Sequence, residues 1–409
     1  METRQNHSEL LAYNLFRFLW ILVLLPKEGQ FVVFAGIAIW SSVKNRQFIR
    51  VNKVTEWFLA YAGIHFISII IAMIMREHAL IRIAAAFNTC GIWVLAIWIA
   101  GIISQSEDID FNRIGRYCVI NLAILFALYI ITFFVPGFFV FNGMERRLSW
   151  TWDLLSSGET TRFIGLFEYP ALVSFFTLLQ FPFAFRYLSE IKYKWSCLIL
   201  IPMVLLPVFM TYSRMGILVN TVMIFVAVNY FILKSGVRPK RLLAFYGMVA
   251  LLMLICIVIK MDEVMALAYN ILHVRPGSNS DRMRIYTETV NRISETSWIV
   301  GAGIKEMNSA GVYPLGSHCT YLGIIFKAGI LGGICFTAGL IGTIVSAVKK
   351  QAKSHDLFDL MMFAMLILVM IFCILEDIDG ADWLLVMTMG LITTWVSKGI
   401  CISNIDVKV

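Results

Sequence analysis

Apolar residues occur in this chain as long unbroken runs, each closed by a short polar connector. Runs of roughly 17–25 residues are long enough to cross a hydrocarbon core of about 30 Å as helices. The pattern predicts an all-α polytopic membrane protein of about twelve transmembrane helices. They fall at roughly 9–25, 29–43, 54–75, 81–103, 117–136, 167–187, 195–212, 215–233, 242–260, 319–347, 357–375 and 383–400. The tenth run exceeds a single crossing, and Gly329, Gly332 and Gly333 mark where it tilts or breaks. Two loops, 137–166 and 261–318, interrupt the alternation of span and connector, and the chain 1–409 reads as one integral membrane domain without internal repeats.

The larger loop contains its own element. Ser278-Asn279-Ser280-Asp281 fits a capping box, a serine answered three residues later by an acid. A helix over about 281–297 then places Arg282, Ile285, Tyr286, Thr289 and Ile293 on one face. Arg284, Glu288, Asn291, Arg292 and Glu295 occupy the other, with charges alternating in sign as on a solvated surface. Arg282 is therefore expected to pack toward the membrane, and Arg284 and Arg292 to be solvated or paired.

Composition supports the membrane reading. The chain is 59% hydrophobic and 15% charged, whereas soluble domains are about half apolar and a quarter charged. Its opening ten residues are polar and lead straight into spans, so no cleavable signal peptide is expected. The eight cysteines sit in or beside apolar segments with no paired spacing, which implies neither disulfides nor zinc.

The net charge of +8 takes its meaning from topology. One set of connectors carries Lys44, Arg46, Arg50 and Lys53, then Arg113 and Arg116, then Arg186, Lys192 and Lys194, then Lys234, Arg238, Lys240 and Arg241, then Lys349, Lys350 and Lys353. The alternate set is poorer in cations and includes the acidic Glu376-Asp377-Ile378-Asp379. The positive-inside rule puts the first set and both termini in the cytoplasm, and the two long loops outside. Those loops are nevertheless rich in arginine, whose fork of donors matches phosphate and carboxylate. A basic surface on this side points to an anionic, membrane-associated substrate and away from nucleic acid.

Particular positions then stand out. Arg162 precedes a span that opens Glu168-Tyr169-Pro170, a helix start at the membrane surface, and helix N-termini favour anions. Arg214 lies in Thr211-Tyr212-Ser213-Arg214-Met215-Gly216, a connector too tight for it to leave the interface. It either reaches up to headgroups or faces a central cavity. Arg275 and Arg284 are secondary candidates in the large loop. His318, at the loop's return to the membrane, exchanges a proton near neutral pH. Lys327 is an ionisable group within the tenth span. The connector Glu376, Asp377, Asp379 and Asp382 lacks calcium-loop spacing and reads as a solvated loop.

In order and spacing, these residues resemble the O-antigen ligase/polymerase superfamily of bacterial envelope glycan assembly, the Wzy and WaaL type. Arg162-x-x-Gly165-x-Phe167-x-x-Pro170 is similar to the family's arginine–glycine–proline segment, and Ser213-Arg214-Met215-Gly216 to its serine–arginine segment. Arg282 followed by Tyr286, the pair Gly301 and Gly303, and His318 with Gly329 and Gly332 continue the order. The sequence departs from the family in having Cys319 after the histidine, and Tyr169 and Ala171 beside the proline, where asparagine often stands.

The resemblance implies glycosyl transfer without metal or cofactor on the outer face of the bacterial cytoplasmic (inner) membrane. The donor would be an undecaprenyl-pyrophosphate-linked glycan. Arg162, Arg214 and Arg282 would hold the pyrophosphate, and His318, with Arg282, would serve the chemistry. A polymerase extending lipid-linked repeat units is the favoured activity, because the Arg162–Pro170 segment looks more like polymerases. The alternative is a ligase transferring the glycan to lipid A-core. A chain-length regulator and a flippase of the same pathway are the protein partners this implies. A lipid or solute transporter is the reading from another class; such proteins often carry inverted repeats, and none is evident here.

Overall fold

The computed structural model describes the chain except residues 1, 46–51, 53, 107–108, 136–138, 142–145, 155–157, 242, 245, 249–250, 252–258, 260, 263–264, 266–275, 312, 355 and 404–409. Most of the expected ninth span, 242–260, and Arg275 lie outside the described residues.

The chain is helical in the way its apolar runs dictate. In order come α1 (Glu2–Arg17), α2 (Leu19–Leu24), α3 (Lys27–Asn45), α4 (Thr55–Met75), α5 (Leu80–Ile103), α6 (Phe111–Phe134), α7 (Pro170–Glu190), α8 (Leu200–Phe209), α9 (Arg214–Lys234), α10 (Pro276–Glu295), α11 (Thr320–Ser354), α12 (Leu357–Leu375) and α13 (Asp382–Ser403). Seven of these described helices are long and apolar enough to cross a membrane: α4, α5, α6, α7, α9, α11 and α12. The protein is thus an all-α polytopic membrane protein in its spanning part. The run expected as a first span, 9–25, is divided between α1 and α2, because Phe18 (φ −103°, ψ 21°) leaves helical geometry. The extended Leu25 (ψ 141°) closes α2, as a residue preceding proline tends to.

α7 lies at the centre. Phe175, Phe176, Phe181, Phe183 and Phe185 are all buried on it, and it packs against α6, α9 and α12. Pro170 stands in its first turn, where a missing N–H costs nothing. The loop expected over 137–166 is built of strands. β1 (Phe139–Phe141) pairs with β2 (Arg146–Arg147), and β3 (Ser149–Leu154) pairs antiparallel with β4 (Gly158–Phe163) in a register that sets Trp150 opposite Arg162. Trp150, Thr151 and Trp152 in β3 and Thr160 and Thr161 in β4 are the aromatic and β-branched residues that favour a ladder.

α11 breaks at Gly329, whose φ of 65° and ψ of −171° are not helical. Segment 298–304 fills the break. The Ala302 N–H donates to the Phe326 carbonyl (2.7 Å), while the N–H groups of Ile330 and Leu331 donate to the carbonyls of Trp298 (2.8 Å) and Ile299 (3.3 Å). Glycine is required on both sides: a Cβ on Gly329 would overlap the Ile299 carbonyl, and one on Gly301 would stand 2.6 Å from the Gly329 nitrogen. The glycines of the sequence motif are therefore a joint between loop and span.

Candidate functional site

The site gathers at one end of α7, α9, α11 and α12, where their connectors meet α10. Its first part is the junction between β4 and the α8–α9 connector. Phe163 N–H donates to the Met210 carbonyl (2.8 Å), so the strand continues onto the connector. The next residue back, Arg162, donates through Nε to the Thr211 carbonyl (2.8 Å). Arg162 is thereby held against the connector that carries Arg214.

That connector is tightly bent. Tyr212 has a φ of 51°. Ser213 caps α9, its hydroxyl accepting from the Gly216 N–H at 3.1 Å, and its own N–H donates to Thr211 Oγ1 (3.1 Å). Arg214 is the first residue of α9 and is exposed.

The second part is α10, which starts at Pro276 rather than at the expected capping box. Proline pre-sets φ for a first helical turn, and this start absorbs Ser278 and Ser280 into the helix. Ile285, Thr289 and Ile293 are buried, and Arg282 and Tyr286 are half-buried on the same side. Arg282 Nη1 donates to the Leu375 carbonyl (2.8 Å), and Nη2 lies 3.2 Å from Glu376 Oε1. Tyr286 donates its hydroxyl proton to the His318 carbonyl (2.9 Å). Burial pushes that hydroxyl above its ordinary value, so it remains a donor. Arg284 is exposed and pairs with Asp281 (3.2 Å), and Arg292 pairs with Glu295 (3.1 Å) and Glu306 (2.5 Å).

His318 occupies the left-handed region at φ 66°, an uncommon conformation outside glycine that tends to mark functional positions. Its ring stands edge-on to Tyr313, centroids 5.5 Å apart. Cys319, where the family often has asparagine, stands at the cap of α11, its Sγ accepting from the Leu322 N–H at 3.4 Å.

The connector after α12 is the part that sequence reasoning misread. Glu376 is only 6% exposed, and Asp377 is buried as well. Glu376 Oε1 accepts from Ser213 Oγ (3.0 Å) in addition to Arg282, while its carbonyl accepts from Thr320 Oγ1 (2.8 Å). Lys305, unremarked in the sequence, lies 2.6 Å from Asp379 Oδ2 and 3.5 Å from Asp377 Oδ2. Lys327 is buried and lies 3.7 Å from Asp379 Oδ1, so its charge is matched by that carboxylate. Tyr169 donates to the carbonyls of Asp377 (2.5 Å) and Asp379 (2.9 Å), pinning the connector onto the start of α7. The acidic run is a buried hub because basic and hydroxyl partners converge on it from five other parts of the chain.

A continuous hydrogen-bonded path therefore runs from Arg162 through Thr211 and Ser213 to Glu376, and on through Arg282 and α10 to Tyr286 and His318. The described non-glycine residues with positive φ are His318, at the end of this path, Tyr212, between Thr211 and Ser213 on it, and Leu166 (φ 73°). The fold brings Arg162, the Ser213-Arg214 connector, Arg282 and His318 into one assembly. Lys327 belongs to the adjoining lysine–aspartate cluster, and Arg284 stands off on the exposed side of α10. No curated protein matches the chain. The family model for O-antigen ligase (Wzy_C) matches residues 171–337, a segment holding Arg214, Arg282, His318 and the Gly301–Gly329 joint but ending before Glu376. Over that segment, which is less than half of the chain, the sequence is similar to the O-antigen ligase family.

Proposed function

We propose that the chain polymerises undecaprenyl-pyrophosphate-linked oligosaccharide repeat units on the outer face of the bacterial inner membrane. The observation that carries this reading is the hydrogen-bonded path that ties Arg162 and the Arg214 connector to Arg282 and His318. Three guanidinium groups around one connector suit a departing lipid pyrophosphate, whose negative charges need donors fixed in advance in a water-poor setting. In the transfer step, the acceptor hydroxyl oxygen forms a bond to the anomeric carbon of the donor glycan. The anomeric C–O bond to pyrophosphate breaks, and the pyrophosphate leaves with the electron pair. His318 takes the hydroxyl proton. Arg162, Arg214 and Arg282 hold the leaving group, and no metal or cofactor is required. A lipid-linked repeat unit is the second substrate, and a chain-length regulator and flippase are the protein partners of such a pathway.

Purified protein in vesicles, given the lipid-linked repeat unit, is expected to make longer lipid-linked chains in EDTA and without an ion gradient. Failure of Arg282→Ala to reduce chain formation sinks the residue assignment. Deleting the gene separates the two activities in the family: core capped by a single repeat indicates a polymerase, whereas long polymer stranded on undecaprenyl indicates a ligase.

A further inference from the structure

Residues 297–304 belong to the large loop by sequence, yet their contacts place them at membrane depth. The break at Gly329 lies nine residues after Thr320, the start of α11, which at 1.5 Å per residue is roughly 13 Å along the span. On the other side, the Ser68 hydroxyl donates to the Val300 carbonyl, and His65 Nε2 stands 3.2 Å from the Gly303 carbonyl oxygen. Ser68 precedes the end of α4 at Met75 by seven residues and His65 by ten, or roughly 10–15 Å. Two spans thus give the segment the same depth independently.

The chain enters and leaves this depth at the rim. Arg76, the residue after α4, donates through Nη2 to the Glu295 carbonyl (3.2 Å) where α10 ends. His78 Nδ1 lies 3.6 Å from Glu306 on the way out. Between them, irregular backbone is tolerable in a membrane only when its polar groups have partners, and most of those in this segment do. The carbonyls of Trp298, Ile299, Val300, Ala302 and Gly303 are engaged by Ile330, Leu331, Ser68, Ile304 and His65. The N–H groups of Ile299 and Val300 donate to Ser297 Oγ, that of Gly301 to the Ser297 carbonyl and that of Ala302 to Phe326.

Two side chains do not turn inward. Trp298 is 42% and Ile299 63% exposed. Their backbone is bonded to Ile330 and Leu331, exposed residues followed along α11 by the exposed Ile334, Ile341, Val345 and Val348, the outward stripe of a membrane-crossing helix.

We propose that residues 297–304 form a re-entrant segment whose Trp298 and Ile299 side chains contact lipid acyl chains, in continuity with the lipid-facing stripe of α11. The segment anchors the C-terminal end of α10, the helix carrying Arg282, in the outer leaflet. The occupant is hydrocarbon rather than water or a second copy of this chain, because depth and the adjoining apolar stripe both specify it.

Photo-crosslinking of the full chain in phospholipid vesicles tests this, with benzoylphenylalanine replacing Ile299 or, as a control, the exposed Thr287 of α10. Mass spectrometry is expected to find phospholipid adducts at position 299 at least tenfold above position 287. Crosslinked dimers from position 299, or equal lipid yields at the two positions, overturn the proposal. Should the bulky replacement not insert, Ile299→Cys supplies the second readout. It is expected to resist a membrane-impermeant maleimide in intact vesicles above the background of the native cysteines, and prompt labelling overturns the proposal.

Discussion

Arg282 and Glu376, 94 residues apart in the chain, meet at 3.2 Å with the carboxylate almost wholly enclosed. The same carboxylate oxygen accepts from Ser213, so one acid sets both the arginine on α10 and the cap of α9. Removing one partner of a buried ion pair costs about 3–5 kcal/mol, because the other charge is left uncompensated. With Arg282 a quarter exposed, Glu376→Ala is expected to cost about 2 kcal/mol. Glu376→Gln keeps an acceptor for Ser213 and removes the charge beside Arg282. We expect it to melt below wild type but above Glu376→Ala, because the amide still accepts from Ser213 while Arg282 loses its counter-charge, and chain formation to fall at least tenfold. Equal activity of the two proteins would show that Arg282 needs no such partner.

The joint between loop and span makes a contrast within one helix. At Gly329, alanine brings both an unfavourable positive φ and overlap with the Ile299 carbonyl. Gly342, further along α11, has open space around it and no positive φ. Gly329→Ala is expected to lose about 3 kcal/mol or more, and Gly342→Ala to change stability by less than about 1 kcal/mol, in the stabilising direction. Thermal melting in detergent compares them directly, and similar midpoints would contradict the described packing of 298–304.

Asp379 gives the protein an acid limit. Burial pushes its carboxyl upward, but Lys305, Lys327 and Lys27 together outweigh burial and hold it well below the usual carboxylate range. A carboxyl depressed in the folded state stabilises the fold above its unfolded value, about 3.9, and that contribution is lost as pH falls through the folded value. Melting temperature is therefore expected to drop as pH is lowered from about 5 toward 3. Asp379→Asn should melt lower than wild type at pH 7 and show a shallower acid limb. A parallel acid limb in the variant would assign the effect to other carboxylates.

What the sequence disclosed, and what it hid, follow from the range of the interactions. The amphipathic pattern around Arg282 is local to one helix, and the buried Ile285, Thr289 and Ile293 lie on the side it indicated. Pro170 at the start of α7 and the break at Gly329 were legible for the same reason, since backbone constraints act within a turn. The hub at Glu376–Asp379 was not. An acidic run looks like a solvated connector until Lys305, Ser213 and Arg282 arrive from 74, 163 and 94 residues away. A clue was present: six residues between the end of α12 at Leu375 and the start of α13 at Asp382 leave such carboxylates little room to reach water. The strands near Arg162 carry alternating tryptophans, a pattern hidden by treating the stretch only as an interruption between spans.

His318 separates chemistry from architecture most cleanly. Its φ of 66° disfavours most side chains, but asparagine tolerates this region, so His318→Asn preserves the backbone that Tyr286 holds. The amide cannot take a proton from the acceptor hydroxyl near neutral pH. Loss of a positioned general base typically slows a reaction by about 10²–10⁴-fold. We therefore expect His318→Asn to melt within a few degrees of wild type, to bind the lipid pyrophosphate donor as tightly, and to form chains at least about a hundredfold more slowly. Tyr286→Phe, which removes the hydrogen bond to the His318 carbonyl and leaves the imidazole in place, should slow the reaction far less. Were the two variants equally slow, the backbone position at 318 would matter and the imidazole would not.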